Sequence, residues 1–319
     1  MILRQLSSKC QGSKLRLQVS PDPSKEHGGT VKIMSSLQPD NQTPLSTQDT
    51  IWHTTTGTPS NPALLLLHGI FNSHREFRDV CEYLENDFFI ILVDLPGHSH
   101  SRSPKLSNYR IPQIASELAT LIKEVSPTKK AHIAGVSYGG FIGLEMARSH
   151  PDVVESLFES GGAPFGFKQK NVVCDPCKVY ALMKASMIVP DCMYYFMQAM
   201  QGVSKDEVLR AESKRNFSLE LIENGFGSAL KITMKHIEEI KGVRVLAIAG
   251  GKQDNVDMTQ QMGRAFEISS GRKDKGGSKA VVVRNAVHAW DDQLPDLFAR
   301  GIKAWVAGTD LPSEFEDLE

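Results

Sequence analysis

One pentapeptide stands out for its chemistry. Gly135-Val136-Ser137-Tyr138-Gly139 is the sole G-x-S-x-G in the 319-residue chain. An apolar run at 131–136 precedes it and a helical pattern at 141–148 follows. A serine in so tight a strand-to-helix turn is forced into strained backbone, and glycines two residues to either side let neighbouring backbone pass without a Cβ clash. The hydroxyl then stands free at the carboxyl edge of a sheet. It also lies at a helix N-terminus, whose dipole favours a developing negative charge. Gly140 and Gly143 let that helix pack closely on the sheet.

A serine hydroxyl is a poor nucleophile near neutral pH; it needs a base, and the base needs an orienting acid. On such a sheet the chain order is serine, acid, histidine. Of ten histidines, only His236 and His288 follow the elbow helix, which ends at His150. His236 lies among Lys235, Glu238 and Glu239 in a helical segment and reads as solvent-facing. His288 follows the last strand, in a short loop before a helix, and is taken as the base. Asp254 follows a strand and the pair Gly250–Gly251 and is taken as the acid; Asp257 and Glu159 are the alternatives. The oxyanion hole calls for two backbone N–H groups. One is from Tyr138; the other is from Ile70, after His68-Gly69, with Phe71 as second choice. His68 reads as structural. Asp94 and His98 could pair on a metal, but a strand-end turn held by hydrogen bonds is the simpler reading, and no metal site is expected.

These residues need a scaffold. A wholly apolar run at 63–67, a continuous apolar run at 88–93 and further strand-like runs at 131–136, 153–158, 244–249 and 280–283 alternate with helical patterns at 74–84, 111–125, 141–148 and 294–306. Strands apolar on both faces imply a parallel sheet covered on both sides, and right-handed crossovers make it doubly wound. The expected class is therefore α/β, with a core over 49–164 and 241–308. Between them, 165–240 reads as a helical cap with helices at 178–188, 192–200, 205–215, 219–224 and 228–240. Met183, Met187, Met193, Phe196 and Met197 in this segment are candidates to line an adaptable apolar cleft. Residues 1–48 read as a partly disordered extension with β-like pieces at 15–19 and 31–34, and 309–319 as a solvated acidic tail.

The chain resembles the α/β-hydrolase superfamily. The pieces that carry the likeness are LLLLHG at 64–69, DLPGHSHS at 94–101, GVSYGG at 135–140, GGKQD at 250–254 and NAVHAW at 285–290. The resemblance implies a mostly parallel sheet of about eight strands with a cap inserted after the sixth. It also implies a Ser137, Asp254, His288 triad on its serine-nucleophile branch; dehalogenase and epoxide-hydrolase members carry Asp at the elbow. His98-Ser99-His100 departs from the second glycine that members often have there. The expected activity is hydrolysis of an ester, thioester or lactone through an acyl-enzyme. Alternatives on the same triad are a carbon–carbon bond hydrolase, an acyltransferase or a biosynthetic cyclase. A ligand-binding receptor with a residual triad is the reading outside enzymes.

Composition narrows the partners. Lys+Arg is 36 against Asp+Glu 37, a net charge of −1, which argues against a polybasic nucleic-acid binder. No apolar run approaches membrane-spanning length, so no stable membrane insertion is expected. Five cysteines in a long chain make no disulfide scaffold and point to a reducing, cytoplasmic setting. The basic, serine-bearing stretch 1–21 would also fit a mitochondrial presequence. Cys174-Asp-Pro-Cys177 lacks the second pair of ligands a closed zinc site needs. With no Walker or G-x-G-x-x-G motif, no cofactor is expected. The partner expected is a small molecule with an apolar portion; nothing in the sequence sets an oligomeric state.

Overall fold

The computed structural model describes residues 50–102, 109–166, 175–270 and 277–318. The predicted extension, with its β-like pieces, lies outside these. Among the described residues eight strands form one sheet: β1 (His53–Thr56), β2 (Ala63–Leu67), β3 (Phe89–Val93), β4 (Ala131–Val136), β5 (Val154–Ser160), β6 (Arg244–Gly250), β7 (Lys279–Val283) and β8 (Glu316–Asp317). Their order is β1-β3-β2-β4-β5-β6-β7-β8. β2 to β7 are parallel, and β1 and β8 pair antiparallel at the two edges. This is the mostly parallel, doubly wound α/β sheet expected.

Side chains alternate between two cores. Leu65, Leu67, Ile91 and Ile133 face the helices α2 (Ile111–Val125) and α3 (Tyr138–Ser149). Leu64, Leu66, Ile90 and Ala134 face α1 (Arg78–Leu84) and, later in the chain, a helix at Pro295–Ala307. Continuous apolar strands are the consequence of covering both faces. The chain leaves β2 through α1 on one face and β4 through α3 on the other. The carboxyl ends of these two adjacent strands are therefore a topological switch point, where such sheets open a crevice.

The helical insertion falls between β5 and β6. It comprises α4 (Pro176–Met187), α5 (Asp191–Met200), α6 (Glu207–Asn216), a helical stretch over 219–229 that is π-helical at Ile222–Phe226, and α7 (Met234–Glu238). It therefore follows the fifth strand, not the sixth. Among the described residues only β1 precedes β2, and the eighth strand is supplied by the C-terminal segment instead. α8 (Val256–Ser270), α9 (Trp290–Gln293) and α10 (Pro295–Ala307) complete the helices. No helix among the described residues is long and apolar enough to cross a membrane.

The segment expected as a solvated tail is docked. Phe315 is 7% exposed and packs edge-on to Trp290 and Phe158 at ring distances of 5.8 and 6.4 Å. β8 pairs with β7, and Glu316 and Asp317 bind Arg284 and Lys279. A single aromatic anchor outweighs the acidic composition, since burying such a side chain stabilises by roughly 1.5–3 kcal/mol.

Candidate active site

Register brings the chemistry to one edge. Leu67 of β2 lies opposite Gly135 of β4, and Val136 of β4 opposite Ser160 of β5. The loops after β2, β4 and β5 therefore leave the sheet side by side. Ser137 N–H donates to the Ser160 carbonyl at 2.7 Å, and Gly161 N–H to the Ile248 carbonyl at 3.0 Å.

Ser137 sits at φ +54°, ψ −110°, a strained conformation for a residue with a side chain. α3 starts at Tyr138, immediately after it. The close approach that permits this turn is visible at Gly139, where a Cβ would stand 2.0 Å from the Leu67 carbonyl oxygen.

Asp254 and His288 meet beside this turn. The Asp254 Oδ1 lies 2.5 Å from His288 Nδ1, and Oδ2 accepts from Gly250 N–H at 2.7 Å. His288 N–H donates to Gln253 Oε1 at 2.9 Å. Gly161, at φ +71°, is the common neighbour: a Cβ there would fall 2.8 Å from His288 Cε1 and 3.4 Å from Asp254 Oδ2. Among the described residues, Ser137 Oγ and His288 Nε2 share no hydrogen bond in the free protein. Partial burial of the imidazole disfavours its charged form. The hydrogen bond and charge of Asp254, with the charge of Glu76, outweigh this and leave His288 above its ordinary 6.5.

The alternative acids have other places. Asp257 lies in the first turn of α8. Glu159 is fully buried, and one of its oxygens accepts from Gly162 N–H while Oε2 has no partner. Burial pushes this carboxyl up to about 8; the Gly162 N–H works against the rise and the Asp254 charge with it.

The loop after β2 is tied at nearly every amide. Gly69 N–H donates to Glu76 Oε2 at 2.6 Å, and Phe71 N–H to His98 Nε2 at 2.9 Å. Ile70 N–H makes no such bond among the described residues. Phe71, the second choice, is thereby committed elsewhere. His68 accepts from Leu95 N–H at Nε2 and contacts the Gly69 carbonyl through Nδ1. Burial holds His68 down to about 4 and His98 to about 3, so both are neutral braces between the loops after β2 and β3. Glu76, buried beneath them, is pushed up to about 7 by burial, against the hydrogen bonds of Gly69 and Asn72 and the charge of His288.

Asp94 braces the same edge, but with His74 and His100, not His98. Its oxygens take the backbone N–H of both residues (2.8 and 3.1 Å) and lie 2.9 and 2.6 Å from their Nδ1 atoms. Burial alone would raise this carboxyl; the histidine hydrogen bonds and charges hold it well below the usual range. A metal here would have to displace two imidazole donors from a carboxylate that is already satisfied. His236, expected in solvent, is half-buried and bonds Thr233 at the N-terminus of α7. In the CDPC stretch, Cys174 lies outside the described residues. Asp175 caps α4 through Cys177 N–H and Lys178 N–H, and Pro176 opens the helix; that is a helix-start signal.

The five candidate cleft residues divide. Met183 and Met187 pack with Ile70, Phe71, Val179 and Leu221 in an apolar cluster beside the loop after β2. Met193, Phe196 and Met197 are 55, 65 and 38% exposed, because α5 buries none of its residues. Helical spacing identified an apolar stripe without saying which way the helix turns it. Sequence reasoning missed Glu76 and Asn216 altogether, and gave Trp290 no role beyond its place in NAVHAW. Trp290 Nε1–H bonds Ser160 Oγ at 2.7 Å behind the site, and Asn216 reaches the loops after β2 and β3 from α6. Only the third dimension brings these residues to the edge.

A family model described as alpha/beta hydrolase fold matches residues 62–177, from the start of β2 into α4. An AB hydrolase superfamily protein of Gibberella zeae is 29% identical, over 81% of this chain and 84% of its own. A pimeloyl-[acyl-carrier protein] methyl ester esterase of Aeromonas hydrophila is 31% identical over 32% of this chain and 39% of its own. The enol-lactonase structure from Burkholderia xenovorans LB400 superposes with a TM-score of 0.62 at 18% identity, covering 81% of this chain and 96% of the other, a likeness of fold. Strand order, elbow and these matches agree: the chain has the alpha/beta hydrolase fold and is similar in sequence to proteins of that superfamily.

Proposed function

We propose that the protein is a serine hydrolase that cleaves a carboxylic ester, thioester or lactone through an acyl-enzyme. The observation that carries this reading is the strained Ser137 beside a Ser160–Gly161 turn against which the Asp254–His288 pair packs. His288 Nε2 takes the hydroxyl proton as Ser137 Oγ attacks the carbonyl. Asp254 keeps the proton of the neutral ring on Nδ1 and stabilises the imidazolium that forms. The Tyr138 and Ile70 amides donate to the oxyanion; losing one such donor typically costs about 2.7–4 kcal/mol. The imidazolium protonates the leaving group, and water activated by His288 releases the acyl group. Substrate bound beside Ser137 brings its Oγ and His288 Nε2 into hydrogen-bond contact, as catalytic contacts commonly tighten on binding.

The cluster of Ile70, Phe71, Tyr180, Met183 and Met187 supports a substrate with an apolar acyl or alcohol portion. The likeness to a methyl ester esterase, over a third of the chain, is in line with a carboxylic ester. Free thiols at Cys81, Cys177 and Cys192 support a reducing, cytoplasmic setting. Replacing Ser137 by Ala abolishes turnover of short p-nitrophenyl esters and labelling by a fluorophosphonate; labelling that persists at another residue retires the assignment.

A further inference from the structure

We propose that Asn216, in the helical insertion, is a positioning residue that holds the oxyanion loop in its working shape. This rests on the reading of Ile70 as an oxyanion donor. Asn216 is the last residue of α6 and is 2% exposed. Its Nδ2 donates to the carbonyls of Phe71 and Asn72, both at 3.0 Å, and lies 3.2 Å from Ser99 Oγ. Its Oδ1 accepts from Ser99 N–H at 2.8 Å. One side-chain amide thus ties the loop after β2 to the loop after β3, with both ends of its dipole in use.

The backbone at these partners makes the arrangement more than a docking contact. Only four described non-glycine residues have positive φ: Phe71 (+71°), Ser99 (+35°), Lys129 (+58°) and Ser137 (+54°). Asn216 bonds two of them, and a third is the nucleophile. Strained backbone persists only where surrounding contacts over-determine it. Phe71 follows Ile70 directly, so its strained φ sets the course of the loop that carries the Ile70 N–H. On one side the loop is fixed by core residues, through Glu76 on Gly69 and His98 on Phe71. On the other side Asn216 supplies the fixing donor. Two more α6 residues reinforce it, Ser213 on Asn72 at 2.9 Å and Glu212 on Ser73 at 2.5 Å. Seating of α6 and formation of the oxyanion hole are therefore one event.

The test compares Asn216→Ala and Asn216→Asp with Arg78→Met. Arg78 also joins core to insertion, through Asp206 at 2.7 Å, but its side chain bonds no residue of the loop. The aspartate variant keeps the acceptor for Ser99 N–H and loses both donors to the loop. Each Asn216 variant is expected to lower kcat for a short p-nitrophenyl ester on the order of 100-fold with KM within about twofold, because a misplaced donor weakens the transition state alone. Arg78→Met lowers the melting temperature and leaves kcat within about twofold. Amide hydrogen exchange over 69–73 speeds up about tenfold in the Asn216 variants, while β4 stays protected. An Asn216 variant with normal kcat and a melting loss like that of Arg78→Met overturns the proposal, as does unchanged exchange over 69–73. If Asn216→Ala does not fold, Asn216→Asp is read the same way. Inactive wild-type protein with an unlabelled Ser137 would sink the hydrolase reading; the exchange measurement still decides whether Asn216 shapes the loop.

Discussion

Nδ1 of His288 lies 2.5 Å from Oδ1 of Asp254, although 34 residues separate them in the chain. The second carboxylate oxygen is taken by Gly250 N–H. Asp254 can therefore turn to no other partner without breaking a backbone contact, and it fixes which ring nitrogen of His288 remains an acceptor. Replacing Asp254 by Asn should lower kcat roughly 10⁴-fold, the size expected when a triad carboxylate is neutralised. KM should change little. Steady-state kinetics on a short ester checks this; a loss confined to KM would mean that Asp254 binds substrate and does not orient the base.

The pH profile follows from the same pair. His288 is raised above 6.5 by Asp254 and Glu76 in spite of its partial burial. It accepts a proton only above that raised value, so kcat/KM should climb with pH to a midpoint above 6.5, and Asp254→Asn should move the midpoint down. For stability the sign is the reverse. The charged pair favours the folded state below the unfolded pKa, and this contribution fades as pH rises through the folded value. A midpoint that stays put in the Asn variant would contradict the coupling.

Glu159 gives a second pH signature, read in stability and not in turnover. Its carboxyl titrates at about 8 in the fold against an ordinary 4.5. Across that window the native state keeps a proton the unfolded chain has released, so this group's contribution to stability falls as pH rises. Glu159→Gln copies the protonated form. Its melting temperature relative to wild type should therefore rise between pH 5 and pH 8, and parallel melting curves would refute the buried, protonated state.

The elbow should tolerate no side chain at Gly139. A Cβ there meets the Leu67 carbonyl oxygen at 2.0 Å, whereas at Gly143 it meets the end of the Leu157 side chain at 2.6 Å. Backbone cannot move aside as a leucine methyl can. Gly139→Ala should cost about 3 kcal/mol or more, and Gly143→Ala about 1 kcal/mol, in urea denaturation. Equal costs would mean that α3 can lift off β2.

The sheet and the elbow were legible because their signals are local. Five-residue apolar runs such as Ala63–Leu67 have both faces buried, and G-V-S-Y-G demands one kind of turn. The Asp254–His288 pair was legible through chain order on such a sheet. What escaped depends on contacts between distant residues. β1, with Thr54, Thr55 and Thr56, carries no apolar run. Phe315 gave no periodic pattern within an acidic stretch, yet one ring filling the space over Gly301 docks the segment. In the insertion the α4 and α5 stripes looked alike, but Met183 turns inward and Phe196 outward. Asn216 carries no local signature, because its role lies in the two loops it bonds.

On the proposed mechanism Ser137 forms a covalent acyl intermediate with His288 as its base. Mixing the protein with excess p-nitrophenyl acetate, quenching in acid within the burst and mapping peptides by mass tests it most directly. One acetyl group is expected, on the peptide that holds Ser137, in the wild type and none in His288→Ala. Acetyl carried instead by Cys177 or Cys192, or equal acetylation of Ser137 without His288, would contradict it.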